Sequence, residues 1–132
     1  MSTQETREIV QRFIEEAWNK GNLAIIDELV DPGYIDHSMP LPGPDGLKKW
    51  IQATSAAFDH HTSIEDQATE EGLAALRISF RGTHRGEWRG ITSQGKPVQT
   101  TGFRFYRVAN GKIVEHWGYM DGVSMEQQLK AE

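Results

Sequence analysis

Thr100-Thr101-Gly102-Phe103-Arg104-Phe105-Tyr106-Arg107-Val108-Ala109-Asn110-Gly111-Lys112-Ile113-Val114-Glu115-His116-Trp117-Gly118-Tyr119-Met120-Asp121 is the stretch on which the reading of this chain turns. Two runs rich in aromatic and β-branched residues flank Asn110-Gly111, the dipeptide best suited to a two-residue type I′ turn, because both central residues must take positive φ. A β-hairpin follows. With strict alternation from that turn, Val108 faces Ile113, Tyr106 faces Glu115, Arg104 faces Trp117, Gly102 faces Tyr119 and Thr100 faces Asp121. Phe103, Phe105, Arg107, Val114, His116, Gly118 and Met120 then share the opposite face. The first face mixes aromatic bulk with Arg104, Glu115 and Asp121, as a small-molecule pocket does, and as a solvated sheet face carrying a few aromatics also does.

Working outward, the chain of 132 residues is long enough for one domain, residues 1–132, with its own core. It has no cysteine, so disulfides, thiolate chemistry and Cys-based zinc sites are excluded. The net charge of -5 disfavours nucleic-acid binding, which rests on clustered basic residues. No apolar run approaches the ~18 residues of a membrane span, and the N-terminus lacks a secretory pattern. The expectation is a soluble, cytoplasmic protein with no nucleic-acid or membrane partner.

Before the hairpin, Ser2 or Thr3 caps a helix to about Trp18, with Ile9, Phe13, Ile14 and Ala17 on its apolar stripe. Gly21 ends it, and a second helix over 23–30 is stopped by Pro32. Trp18 belongs either to the core or to a cavity that its indole N–H faces. Tyr34 to Ser38 is an edge strand or extended loop. Asp45 caps a third helix through Leu47, Trp50, Ile51, Thr54 and Phe58, ending near Asp59-His60-His61. That histidine pair is read as a helix end rather than a metal site, since adjacent side chains diverge and no further ligand has suitable spacing. Ser63 to Glu70 is an edge strand. Leu73 to His84 alternates well, placing Ala74, Leu76, Ile78, Phe80 and His84 on one face. His84 is either a core-edge histidine satisfied by backbone or a polar group at a pocket floor. A loop over 86–96 and a helix over 122–129 complete the order: helices first, then hairpin-linked strands, hence α+β with an antiparallel sheet and helices on one face.

Trp18-Asn19-Lys20-Gly21-Asn22, Tyr34-Ile35-Asp36-His37, Phe80 to Glu87, Gly95-Lys96-Pro97-Val98 and the hairpin block through Trp117 and Asp121 together resemble the SnoaL-like polyketide cyclases, within the nuclear-transport-factor-like superfamily. The resemblance implies a cone-shaped, cystatin-like α+β barrel: a curved antiparallel sheet wrapped by the N-terminal helices. It also implies a homodimer packed through the outer sheet face, and no metal or organic cofactor. It places the general acid/base of an intramolecular aldol condensation at Asp121. Arg104 is a departure from the family pattern; there it pairs with Asp121 or holds an anionic oxygen, which opens the way to a smaller or acidic ligand.

The candidate site is therefore Asp121 and Arg104 with His37 and His84 as donors or positioning groups, lined by Trp18, Tyr34, Phe80, Trp117 and Tyr119. Its ligand is a small hydrophobic or carbonyl-containing molecule. Glu115 is a second carboxylate on that face or a charge partner for Arg104 or Lys112, and His116 points away. Cyclase or isomerase chemistry leads; a non-catalytic binding or dimerising protein and an epoxide hydrolase are the alternatives.

Overall fold

The computed structural model describes residues 2–131. Helix α1 (Thr3–Phe13) begins with a reciprocal cap in which the Ser2 hydroxyl accepts the Glu5 N–H while the Glu5 carboxylate accepts that of Ser2. Val10 and Phe13 face the core. The helix then widens into a π turn, Ile14–Asn19, which turns Ala17 and Trp18 inward. Asn19, at its end, stands in for a strand neighbour: its Nδ2 donates to the Thr62 carbonyl at 2.9 Å and its Oδ1 accepts the Thr62 N–H at 2.7 Å. Gly21 is left-handed, as expected after a helix end.

Helix α2 (Ala24–Leu29) runs straight into β1 (Val30–Asp36), and α3 (Gly43–Ala57) straight into β2 (Phe58–Glu70). Two expectations change here. Pro42, not Asp45, occupies the N-cap of α3, with Asp45 inside its first turn. Asp59-His60-His61 lie in strand β2, not at a helix end. The backbone is already extended at Phe58, which is buried against Phe80, so packing of that ring sets where the helix stops.

The sheet is completed by β3 (Leu73–His84), β4 (Pro97–Ala109) and β5 (Lys112–Met120), in the order β1-β5-β4-β3-β2, and α4 (Gly122–Lys130) closes the chain. Four strands form an antiparallel meander, but β1 joins β5 in parallel, so the sheet is mixed where a wholly antiparallel one was expected. Its concave face holds the core, with Ile26, Ile51, Leu76, Ile78, Tyr106 and Ile113 all buried. No helix among the described residues is long and apolar enough to cross a membrane.

The hairpin turn is as read, with Asn110 at φ 53 and Gly111 at φ 78, and Val108 faces Ile113. Beyond that pair the register slips. Arg107 faces Glu115, leaving Val114 as the extra residue of a β-bulge. Every later position on β5 is therefore exchanged between faces: Tyr106 faces His116, Phe105 faces Trp117, Arg104 faces Gly118 and Phe103 faces Tyr119. His116 turns into the core, 1% exposed, while Tyr119 is 81% exposed on the outer face.

Removing the Asn19 clasp isolates the N–H and carbonyl of Thr62, a residue only 2% exposed. Asn19→Ala is expected to cost about 2–3 kcal/mol in urea unfolding. A loss below ~0.5 kcal/mol would mean that the two groups find other partners.

Candidate active site

The concave face, the π turn and α3 enclose a cavity of about 460 Å³. Its aromatic wall is Trp18 and Trp50, edge-to-face at 4.9 Å, continued by Phe58 and Phe80 at 5.8 Å. Trp88, from the loop after β3, packs edge-on against Phe58. Arg104 of β4 and Gly118 of β5 supply the sheet side, and His37, Ser38 and Arg89 also border the space. Most of this lining is apolar, and its few polar groups converge, as in ligand sites generally.

Arg104 is only 5% exposed. Its guanidinium carbon lies 4.8 Å from the Trp18 ring and 5.3 Å from the Trp50 ring, a cation held between two indoles. Among the described residues it has no carboxylate at ion-pair distance. Its Nε has no hydrogen-bond partner, and neither has the buried Nε1 of Trp18. Two polar side chains meet the guanidinium: His116, whose Nε2 is 3.4 Å from Nη1, and the buried Tyr106, whose hydroxyl accepts from it.

Behind His116 stands Asp36, at the end of β1. Its Oδ1 lies 3.1 Å from His116 Nδ1 and accepts the Ser38 N–H at 2.9 Å and the Ser38 hydroxyl at 2.7 Å. Its Oδ2 accepts the Tyr34 hydroxyl at 2.9 Å. Burial alone would raise the Asp36 carboxyl, but the hydrogen bonds from His116 and Ser38 outweigh it and hold the group well below the usual carboxylate range. Asp36 is thus ionised. His116 moves down: burial lowers it and Arg104 lowers it further, against the raising effect of Asp36. A neutral imidazole facing a carboxylate must carry its proton on Nδ1, so the Nε2 lone pair is directed toward Arg104. A Cβ at Gly118 would come within 2.7 Å of His116 Cε1 and Nε2, so the ring edge packs directly against Gly118; Gly118 lines the cavity and His116 lies just behind it.

The structure gathers the expected site residues only in part. Trp18, His37, Phe80 and Arg104 line the cavity. Tyr34 is buried and is not in the lining, with its hydroxyl on Asp36. His84 is buried against Phe58 at a ring distance of 5.3 Å and is not in the lining. Trp117 faces outward, stacked on His37 at 4.6 Å, and Tyr119 borders the cavity from the outer face. Glu115 bridges His37 and Arg107 and does not reach Arg104. Asp121 does not pair with Arg104: it is exposed and caps α4, its carboxylate accepting the Ser124 N–H at 2.9 Å, while its neighbours Met120 and Gly122 line the cavity. His60 Nε2 meets the Ser55 hydroxyl, and among the described residues no three His, Asp or Glu side chains converge as a metal ion requires.

Asp36, Trp50 and His116 were missed as site residues. The bulge accounts for His116, since it reverses the face that alternation assigns. Ser38 following Asp36 by two residues is a local turn signal that marks the carboxylate as held, though not by what else.

A family model described as SnoaL-like polyketide cyclase matches residues 8–129. DauD of Streptomyces sp. (strain C5), an aklanonic acid methyl ester cyclase, is 26% identical over 129 residues, covering 92% of this chain and 80% of its own. DnrD of Streptomyces peucetius, of the same description, is 26% identical over 136 residues, covering 98% and 92%. Among solved structures, IdmH of Streptomyces antibioticus superposes with a TM-score of 0.86 at 30% identity, covering 96% of this chain and 99% of its own. TsrD of Streptomyces laurentii reaches a TM-score of 0.88 at 22% identity over 100% of this chain and 99% of its own, a likeness of fold. Matched over nearly its whole length, the chain belongs to the SnoaL-like polyketide cyclase family.

Proposed function

We propose that this chain is a cofactor-independent cyclase that removes a proton beside a carbonyl of a small polyketide and closes a ring by intramolecular aldol addition. One observation carries the reading: two buried donors without acceptors, Arg104 Nε and Trp18 Nε1, belong to side chains lining the same aromatic cavity. Such donors suit an oxygen on which negative charge develops, because they need no reorganisation as the charge appears.

Proton transfer is assigned to His116. Its Nε2 is unprotonated, its Nδ1–H is held by Asp36, and its edge lies directly behind the lining residue Gly118, so that Nε2 reaches substrate by giving up its 3.4 Å contact with Arg104 Nη1. Nε2 takes the α-proton and Asp36 steadies the imidazolium. The enolate carbon then attacks a second carbonyl of the same molecule, and the resulting alkoxide takes the proton back. No atom is lost or gained overall. Tyr34 and Ser38 act through Asp36 as positioning residues. A second reading keeps Asp121 as the acid/base, favoured by the cavity-lining residues on either side of it; its carboxylate must then leave the Ser124 N–H and turn inward.

The outer face of the sheet is assigned to a homodimer contact, supported by its exposed aromatics: Phe103 is 62% and Tyr119 81% exposed.

Three tests follow from this reading. With aklanonic acid methyl ester as trial substrate, His116→Gln is expected to lower kcat about 10²–10⁴-fold and Arg104→Met about 10²–10³-fold. Asp121→Asn is expected to change it less than tenfold. The opposite order of the first and third would assign the proton to Asp121, and ligand recovered unchanged from all forms would leave a binding protein.

The second test is pH. The folded protein holds His116 below the ordinary histidine value, and His60 also, through burial and Arg85. Unfolding therefore takes up protons. Stability is full above pH ~6.5 and declines as pH falls toward the lowered folded values, with Asp36 adding the same sign further down. Urea midpoints should fall below pH ~6.5, and His116→Gln should flatten that slope by roughly one proton. An unaltered slope would contradict a neutral buried His116. Third, light scattering should report a dimer for the wild type and a monomer for Phe103→Glu; a monomeric wild type would remove the contact.

A further inference from the structure

The charge in the cavity is one-sided. Arg104 and Arg89 both line it, and the described lining contains no aspartate or glutamate. This is a local arrangement, because the chain as a whole carries -5. Arg104 lies deep and takes the reacting carbonyl oxygen in the reading above. Arg89 has no part in that chemistry.

Arg89 sits in the loop between β3 and β4 with a left-handed backbone, φ 48, in a short bridge between Trp88 and Ile91. Its guanidinium carbon is 4.5 Å from the Trp88 ring. The same guanidinium lies against Gly122, where a Cβ would come within 2.6 Å of Nη2. Gly122 therefore admits the cation to the start of α4, beside the cavity. Its partner is Glu126, whose Oε1 accepts from Nη1 at 2.9 Å. That pair is open to water, with side chains 50% and 31% exposed, so it contributes little and is readily exchanged. A ligand carboxylate at the cavity mouth competes with Glu126 on good terms, since Trp88 already shields one face of the guanidinium.

We infer that the substrate of this chain carries a permanent carboxylate, and that Arg89 selects it by exchanging Glu126 for the ligand's acid group while Arg104 serves the carbonyl. The inference rests on the cavity being the substrate site proposed above. It sets this chain apart from DauD and DnrD, described as cyclases of a methyl ester, in which that charge is masked. Arg89 is a specificity residue here, not part of the proton transfer.

The test compares an anthraquinone carboxylic acid with its methyl ester as cavity probes, read by quenching of the tryptophans that line the cavity. Wild type is expected to bind the acid about ten- to a hundredfold more tightly than the ester. Arg89→Gln should bring the acid down to the level of the ester without moving the ester. Glu126→Gln, which removes the competitor, should tighten the acid several-fold. Equal binding of acid and ester by wild type would overturn the inference, as would a preference that survives Arg89→Gln. Binding of neither probe would count against it together with the cavity reading. Because the readout is binding, an intact acid-to-ester ratio in a chain that turns nothing over sinks the cyclase reading alone, and turnover of the ester with no acid preference sinks this inference alone.

Discussion

The guanidinium of Arg104 is the constraint on which the concave side of this protein depends. A cation so deeply buried with no carboxylate against it is unfavourable unless other groups take over the work of water. Here the faces of Trp18 and Trp50, the imidazole of His116 and the hydroxyl of Tyr106 do so in part. Each arrives by a different local device. The π turn at the end of α1 carries Trp18, α3 carries Trp50, and the bulge at Val114 brings His116 to the inner face. The parallel strand β1 then places Asp36 behind the imidazole. Three of the four devices are departures from regular antiparallel or α-helical geometry, and such departures tend to gather at sites where side chains must be aimed.

Much of the architecture could be read from residues alone because its signals are local. Asn110-Gly111 names its turn, the alternation from Leu73 to His84 names a half-buried strand, and Gly21 names a helix end. Each depends on a few neighbouring φ angles or on period-two burial, and each is found in the structure. The parallel pairing of β1 with β5 has no such signal, since it joins segments about 80 positions apart.

The site was harder to read, for one physical reason. A hairpin with aromatics on both faces gives alternation no apolar side to prefer, and a single extra residue in one strand carries no side-chain signature. Arg104 was rightly placed on the inner face because β4 is regular, its residues alternating between exposed and buried along the whole strand. Trp117, Tyr119 and Glu115 were misplaced together because β5 is not. Asp36 was visible as part of a motif, but three of its four donor groups come from Tyr34 and Ser38 close by and only the fourth, His116, links it to Arg104.

The resulting charges run from negative at Asp36, through neutral at His116, to positive at Arg104 and the cavity. This order explains why a lowered histidine still suits a base in the proposed reaction. Protonating His116 in the empty cavity would set two cations side by side, which is the repulsion that helps to lower it. When the proton comes from a carbon beside a bound carbonyl, an enolate charge appears on the other side of Arg104 in the same step. The guanidinium is then matched at the moment its neighbour becomes charged, and the imidazolium keeps Asp36 as its own partner. In the proposed reaction, base strength and enolate stabilisation are therefore not separate properties. Both depend on a guanidinium left without a carboxylate until substrate arrives: a resident carboxylate beside Arg104 would relieve the repulsion that lowers His116 in the empty cavity, but would occupy the charge that the enolate needs.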